Sequence, residues 1–297
     1  MNKRLKSIAK LLLKLSISAG ALLIVFRSIN WEVTREILLN SSLSGLVVAT
    51  LFFAASKVLS AYRLLFFFRS IDLTLSFAYN LRLAWVGMFY NLFLPGGIGG
   101  DTYKVYLLHK QSGISAKSIG AAVLLDRING MVALIFLAGV GFMMLNPDTL
   151  PLGLKALVMA GTLLTYPAYM LLVRLLFKSF TSRFWETTVL SFGTQICQLV
   201  ASYFILMSLG LGAGYLAYLV VFLVSSVVAV LPFTIGGVGA RELTFILGNR
   251  LIGIDENLAV AFSLAFFLIT LVTSSVGGFL PTTTGNQDSR ASNTSMT

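Results

Sequence analysis

The chain is short of charge. Of its 297 residues, 11% are Asp, Glu, Lys or Arg, less than half of the roughly 25% found in ordinary soluble domains. Acids are scarcest, eleven against twenty-two Lys and Arg, and none pair convincingly within one segment as a general acid and base. There is one cysteine and one histidine. Cys197 alone excludes a disulfide framework and a Cys-based metal site. His109 has no ligand partner at metal spacing and reads as a surface or interfacial residue. No G-x-S-x-G, H-E-x-x-H or Walker loop occurs. The glycines of GGIGGD follow an apolar segment rather than a strand, so they fail as a nucleotide fingerprint. The chain is thus expected to have no catalytic residues, no metal and no cofactor. A net charge of +11 without a nucleic-acid module gives no nucleic-acid partner. The basic residues flank apolar runs, where they orient a membrane protein.

What is abundant is apolar sequence. Apolar residues make up 57% of the chain, and the mean hydropathy is +0.89. Eight segments are long and apolar enough to be candidate spans: Leu11–Phe26, Leu46–Phe68, Phe77–Leu94, Ile119–Leu145, Leu154–Leu172, Val189–Leu209, Tyr215–Leu231 and Leu258–Leu280. The basic start and first apolar run lack a small-residue cleavage pattern, so they read as a retained span. Residues 1–281 form a single transmembrane domain, and the polar stretch 282–297 reads as a disordered tail.

The segment Leu94-Pro95-Gly96-Gly97-Ile98-Gly99-Gly100 returns as Leu231-Pro232-Phe233-Thr234-Ile235-Gly236-Gly237, 137 residues later. At the same offset Lys104 falls on Arg241, and the span order follows. Two repeated halves result, about 1–145 and 146–281. Eight full crossings would put both Lys104/Lys110/Lys117 and Arg174/Lys178/Arg183 outside, against the positive-inside rule. If each L-P-x-x-I-G-G stretch instead tips a re-entrant hairpin, inside segments carry +11 and outside loops −1. The expected fold is therefore all-α. It has two inverted halves, each with three crossings and a re-entrant helical hairpin, and a cytoplasmic N-terminus.

Irregular backbone at membrane depth survives only when buried in protein or lining a polar cavity. Pro95 and Pro232 remove donors, and the glycines permit tight backbone geometry. A short helix follows from Asp101 to Lys110 with Asp101 as N-cap. Its N-terminus is a ready anion site, to which Lys104 adds a full charge. In the second copy Gly236, Gly237 and Gly239 lead to Arg241, whose planar fork suits phosphate oxygens. Position 238 is valine rather than a competing carboxylate, which favours the second copy as the tighter anion site. Asp126, Arg127 and Asn129 lie within an apolar segment, where each charge costs about 2.5–3.5 kcal/mol and needs a partner. Lys57 is the expected partner of Asp126, and Glu242 or a lipid phosphate that of Arg127. Arg63 and Arg69 read as headgroup anchors.

These motifs, with LLDRINGMVAL and LPFTIGGVGARELTF, resemble the lysylphosphatidylglycerol synthase transmembrane-domain, or flippase-like, family over roughly residues 5–281. The resemblance implies a polytopic inner-membrane protein, related to the flippase part of bifunctional multiple peptide resistance factors. By position it points to Arg63, Pro95, Gly96, Gly97, Gly99, Gly100, Asp101, Lys104 and Arg127 in the first half. In the second half it points to Pro232, Gly236, Gly237, Gly239, Arg241 and Glu242. Asp126 departs from the family's usual Glu. The soluble aminoacyltransferase domain of the bifunctional relatives is not expected here, so lipid lysylation is not implied. The leading expectation is a non-enzymatic translocase moving an anionic phospholipid or polyprenyl-phosphate-type lipid between leaflets. Two alternatives are a membrane enzyme or subunit for polyprenyl-linked sugars, and a non-transporting partner of a lipid-modifying enzyme or glycosyltransferase.

Overall fold

The structure, a computed structural model, describes residues 30–93, 99–145, 151–230 and 240–281. Among them every regular element is helical: α1 (Trp31–Leu39), α2 (Leu43–Arg69), α3 (Phe77–Phe93), α4 (Gly99–Ser112), α5 (Ala116–Leu145), α6 (Leu152–Leu176), α7 (Phe184–Ser208), α8 (Tyr215–Val230), α9 (Ala240–Ile252) and α10 (Glu256–Ser275). Short 3-10 turns, Lys178–Arg183 and Val276–Phe279, precede α7 and follow α10. Asn30 caps α1 by accepting from the Glu32 and Val33 N–H groups, at 3.0 and 3.3 Å. Gly113 and Gly253, just past α4 and α9, adopt left-handed φ of 73° and 75°, the conformation that ends a helix and favours glycine.

Five apolar helical stretches are long enough to cross a membrane: Leu43–Arg69, Ala116–Leu145, Leu152–Leu176, Lys178–Ser208 and Glu256–Phe279. Their lengths, 24 to 31 residues, give about 36–46 Å at 1.5 Å per residue, against a hydrocarbon core of about 30 Å. These stretches coincide with five of the six segments expected to cross in full. The sixth, Leu11–Phe26, lies outside the described residues, as do the tail and both glycine-rich tips. The outward surface is apolar, with Leu157, Leu163, Leu164, Leu171 and Leu175 of α6 all exposed.

The other two pairs are antiparallel hairpins with shorter arms. Asn91 meets Gly100, Tyr90 meets Tyr103, Gly87 meets Lys104 and Tyr79 meets Gln111. The α3 residue falls as the α4 residue rises, so the arms, of 17 and 14 residues, run in opposite directions. In α8–α9 the pairs Ser226–Arg241, Val221–Gly248 and Tyr218–Asp255 show the same reversal over arms of 16 and 13 residues. Within the described residues each arm is about 20–26 Å of helix, against a hydrocarbon core of about 30 Å.

Helices α2 and α7 form the central antiparallel pair, joined from Gly45 against Ser208, through Leu59 against Gly193, to Arg63 bonded to Ser191. Two apolar clusters lie at opposite ends of this pair. One takes Ala49 and Phe53 of α2 with Ala201, Ile205 and Leu206 of α7. The other takes Leu64, Phe67 and Phe68 with Phe184. Between them the sequence turns polar: Ser56, Lys57 and Arg63 on α2, and Thr188, Ser191, Thr194 and Gln195 on α7. Charge also separates by end. Arg69, Lys110, Lys117, Arg174, Lys178 and Arg183 collect at the helix ends beside the Phe67–Phe184 cluster, with Asp72 and Glu186 as the acids of that end. The opposite end carries Glu32, Arg35, Glu36, Arg250, Asp255 and Glu256.

Candidate functional site

The polar layer is organised by ion pairs. Arg63 is 4% exposed. Its Nε donates to Asp126 Oδ1 at 2.7 Å and its Nη1 to Ser191 Oγ at 2.7 Å. The guanidinium also passes Gly130, close enough that a Cβ there would lie 3.3 Å from Nη1. Gln195 Nε2 donates to the Gly130 carbonyl at 3.2 Å, so α2, α5 and α7 meet at one point. This revises two expectations. Asp126 is paired with Arg63 rather than Lys57, and Arg63 is buried and ion-paired between helices rather than exposed at a helix end. The reason is reach: Arg63 and Ser191 face each other in the α2–α7 register, with Asp126 beside them. Arg69, by contrast, is exposed at the end of α2 with its guanidinium 5.5 Å from the Phe66 ring.

A second group sits one residue further along α5. Arg127 Nε donates to Asp101 Oδ2, and Lys104 Nζ lies 3.4 Å from Asp101 Oδ1. Asp101 is therefore a shared counter-ion, not the N-cap of α4, which begins two residues earlier. Arg127 pairs with Asp101 rather than with Glu242. At the start of α4 the Gly100 N–H donates to Asn91 Oδ1 at 2.8 Å, which takes up one of the free N–H groups of the first turn. Gly100 has a packing reason as well: a Cβ there would collide with the Gly87 carbonyl oxygen. Gly99 opens the same first turn. Lys104 is 9% exposed and folds back along Gly87. Two cations thus share one carboxylate at the first hairpin, which leaves the group with one net positive charge.

The second hairpin differs. Arg241, in the first turn of α9, stacks its guanidinium 4.8 Å from the Phe266 ring and 5.4 Å from Phe222. Its Nη1 also lies 3.4 Å from Ser226 Oγ. Glu242 is buried and accepts from Ser263 Oγ at 2.8 Å. Across the aromatic cluster, Lys57 Nζ sits 4.4 Å from the centre of Phe53, which meets Phe266 edge to face at 5.4 Å. Among the described residues neither Lys57 nor Arg241 has a carboxylate within ion-pair distance. Pro95, Gly96, Gly97, Pro232, Gly236, Gly237 and Gly239 lie outside the described residues.

Sequence reasoning missed Ser191, Gln195 and Asn91. A signal existed for α7: Thr188, Ser191, Thr194, Gln195 and Ser202 recur at helical spacing within an apolar run, and all are buried. Asn129, on the face of α5 that carries Asp126, is fully buried. Among the described residues neither of its side-chain polar atoms has a hydrogen-bond partner.

Long apolar helices around a buried charged layer define a multi-pass helical membrane protein. The chain belongs to the lysylphosphatidylglycerol synthase TM region family, whose model matches residues 11–278. It is similar to the UPF0104 membrane protein PH1989 of Pyrococcus horikoshii, 23% identical over 300 residues, covering 84% of this chain and 90% of that protein.

Proposed function

We propose that the protein is a lipid translocase that carries anionic head groups between the leaflets of the cytoplasmic membrane. One observation carries this reading: eight ionisable side chains from α2, α4, α5 and α9 gather in the polar layer, beside two hairpins with short arms. Charges at that depth are costly and characteristic of substrate or ion pathways. The antiparallel arms support reading each hairpin as re-entrant, with its glycine-rich tip at membrane depth. The repeat then pairs them as inverted halves, an arrangement suited to alternating access. The concentration of cations at one end supports placing that end, and the N-terminus, in the cytoplasm. Asp101 and Asp126 are each bound to cations, an arrangement that favours a scaffold for head groups over acid–base catalysis.

The test is lipid exchange in vesicles containing the purified protein and a fluorescently labelled anionic lipid in both leaflets. Reagent added outside bleaches the outer leaflet, and further loss reports exchange. Protein-dependent loss beyond the outer half is expected, and rates equal to those of protein-free vesicles would refute the proposal.

A further inference from the structure

We infer that Lys57 and Arg241 form the seat for the head group, and that the seat takes a phosphodiester lipid whose head carries no ammonium. The inference deepens the translocase reading and rests on it for the lipid's passage, but not for the binding itself.

Charge in the interior layer divides into three groups. Arg63 and Asp126 cancel. Lys104 and Arg127 share Asp101, which leaves one positive charge at the first hairpin. Lys57 and Arg241 flank the aromatic cluster of the second hairpin, where Glu242, next to Arg241, is their carboxylate. That group too is left with one positive charge. Glu32, Glu36, Asp72, Glu186, Asp255 and Glu256 belong to the two ends of the molecule. No Asp or Glu occurs in 94–98 or 231–239, between the arms of either hairpin.

The two excess charges are held differently. At the first hairpin both cations touch the carboxylate they share. At the second, Lys57 lies against Phe53 and Arg241 against Phe266, and these rings meet edge to face. A ring face holds a cation in place but leaves its charge unneutralised. Glu242 is buried and bonded to Ser263, which withdraws it from this surface. Lys57 and Arg241 are only half-buried, so they remain within a ligand's reach. Phe52 and Tyr62 of the same helix are exposed, so lipid lies beside the layer at the depth of Lys57. A phosphodiester with an uncharged head carries one negative charge and closes the balance of this group. The lysine ammonium meets it as a point charge and the guanidinium as a fork for its oxygens. An ammonium on the same head restores the excess and sets a like charge beside two cations, in a region of low dielectric. A soluble phosphodiester carries the same charge but must shed its water to reach this depth, whereas lipid tails hold the head group there.

Binding to the purified full-length protein would be measured by thermophoresis with dioctanoyl phosphatidylglycerol, dioctanoyl phosphatidylethanolamine and the tail-free glycerophosphoglycerol. The glycerol-headed lipid is expected to bind at least about tenfold more tightly than either competitor. Lys57→Gln or Arg241→Gln leaves one cation against Glu242 and should remove most of the preference between the two lipids, while Lys57→Arg keeps it. Equal affinity of the wild-type protein for the two lipids would overturn the seat. A preference that survives both glutamine changes would belong to the basic end of the molecule and would overturn it too. So would a preference lost in Lys57→Arg, which retains the charge. If a glutamine variant merely misfolds, the wild-type ratio and the Lys57→Arg result decide. Glycerophosphoglycerol binding as tightly as phosphatidylglycerol would overturn the assignment to a lipid. The exchange assay separates the two readings. Preferential binding without exchange sinks translocation and leaves the seat, and exchange without binding preference does the reverse.

Discussion

Arg63 and Asp126 meet with side chains 5% and 15% exposed, so both are largely withdrawn from solvent. Removing one member of such a pair leaves an uncompensated charge and costs about 3–5 kcal/mol, whereas removing both can be close to neutral. Arg63→Met is therefore expected to lower the melting temperature in detergent sharply, as is Asp126→Leu. The double variant should recover much of the loss. Additive losses would show that the two side chains act separately. Asn129 poses the opposite case. A buried amide with unpaired atoms carries a penalty of about 1–3 kcal/mol, so Asn129→Leu should leave thermal stability unchanged or raise it. If Asn129 serves the polar pathway, the same variant should slow lipid exchange, the common exchange of stability against function. A fall in melting temperature would mean that the amide has a partner it cannot lose.

Among the elements, the α3–α4 hairpin depends on close backbone approach. Gly100 meets the Gly87 carbonyl, and Gly277 meets that of Trp85, whose indole N–H donates to the Thr273 carbonyl at 3.0 Å. Gly100→Ala must push the two arms apart, since a backbone atom cannot swing aside as a side chain does. Loss of folded protein in size-exclusion chromatography is expected. Gly161→Ala in α6, where no atom lies within 4 Å of the added carbon, should be silent and serves as the control. Equal behaviour of the two would remove the packing argument. These elements were largely legible beforehand. Apolar length alone located the seven segments within the described residues to within a few positions, because bilayer thickness dictates helix length. Partners were not legible. Asp126 and Arg127 are adjacent in sequence, but on a helix adjacent side chains diverge. Which cation each faces depends on the α2–α7 register and on where the α4 arm folds back. Neither leaves a local signature, so Arg63 read as an interfacial anchor and Lys57 as the partner of Asp126.

For the whole molecule, topology follows from which ends share a side. Ser112 closes α4 and Ser179 lies in the turn before α7, and both lie at the end rich in Lys and Arg. The eight-crossing reading also puts these two on one side, but outside, so their agreement alone does not decide the matter. The charge asymmetry supports the proposed orientation, in which that side is cytoplasmic. Ser41, which precedes α2, and Asn257, near the start of α10, lie at the other end, where Asn257 Oδ1 accepts from the Asn30 N–H at 2.9 Å. In a Cys197→Ser background, single cysteines at these four sites would be treated with a membrane-impermeant maleimide. Ser112→Cys and Ser179→Cys are expected to react only in inside-out vesicles, and Ser41→Cys and Asn257→Cys only in intact cells. Labelling of Ser41→Cys and Ser112→Cys from the same side would mean that α3 and α4 do not form a re-entrant hairpin, since only α2 and that pair lie between them. Labelling of Ser112→Cys and Ser179→Cys from outside the cell, with Ser41→Cys and Asn257→Cys reacting only in inside-out vesicles, would keep the hairpins and reverse the orientation. In that event the clustered cations would face away from the cytoplasm, and the positive-inside argument would fail for this protein.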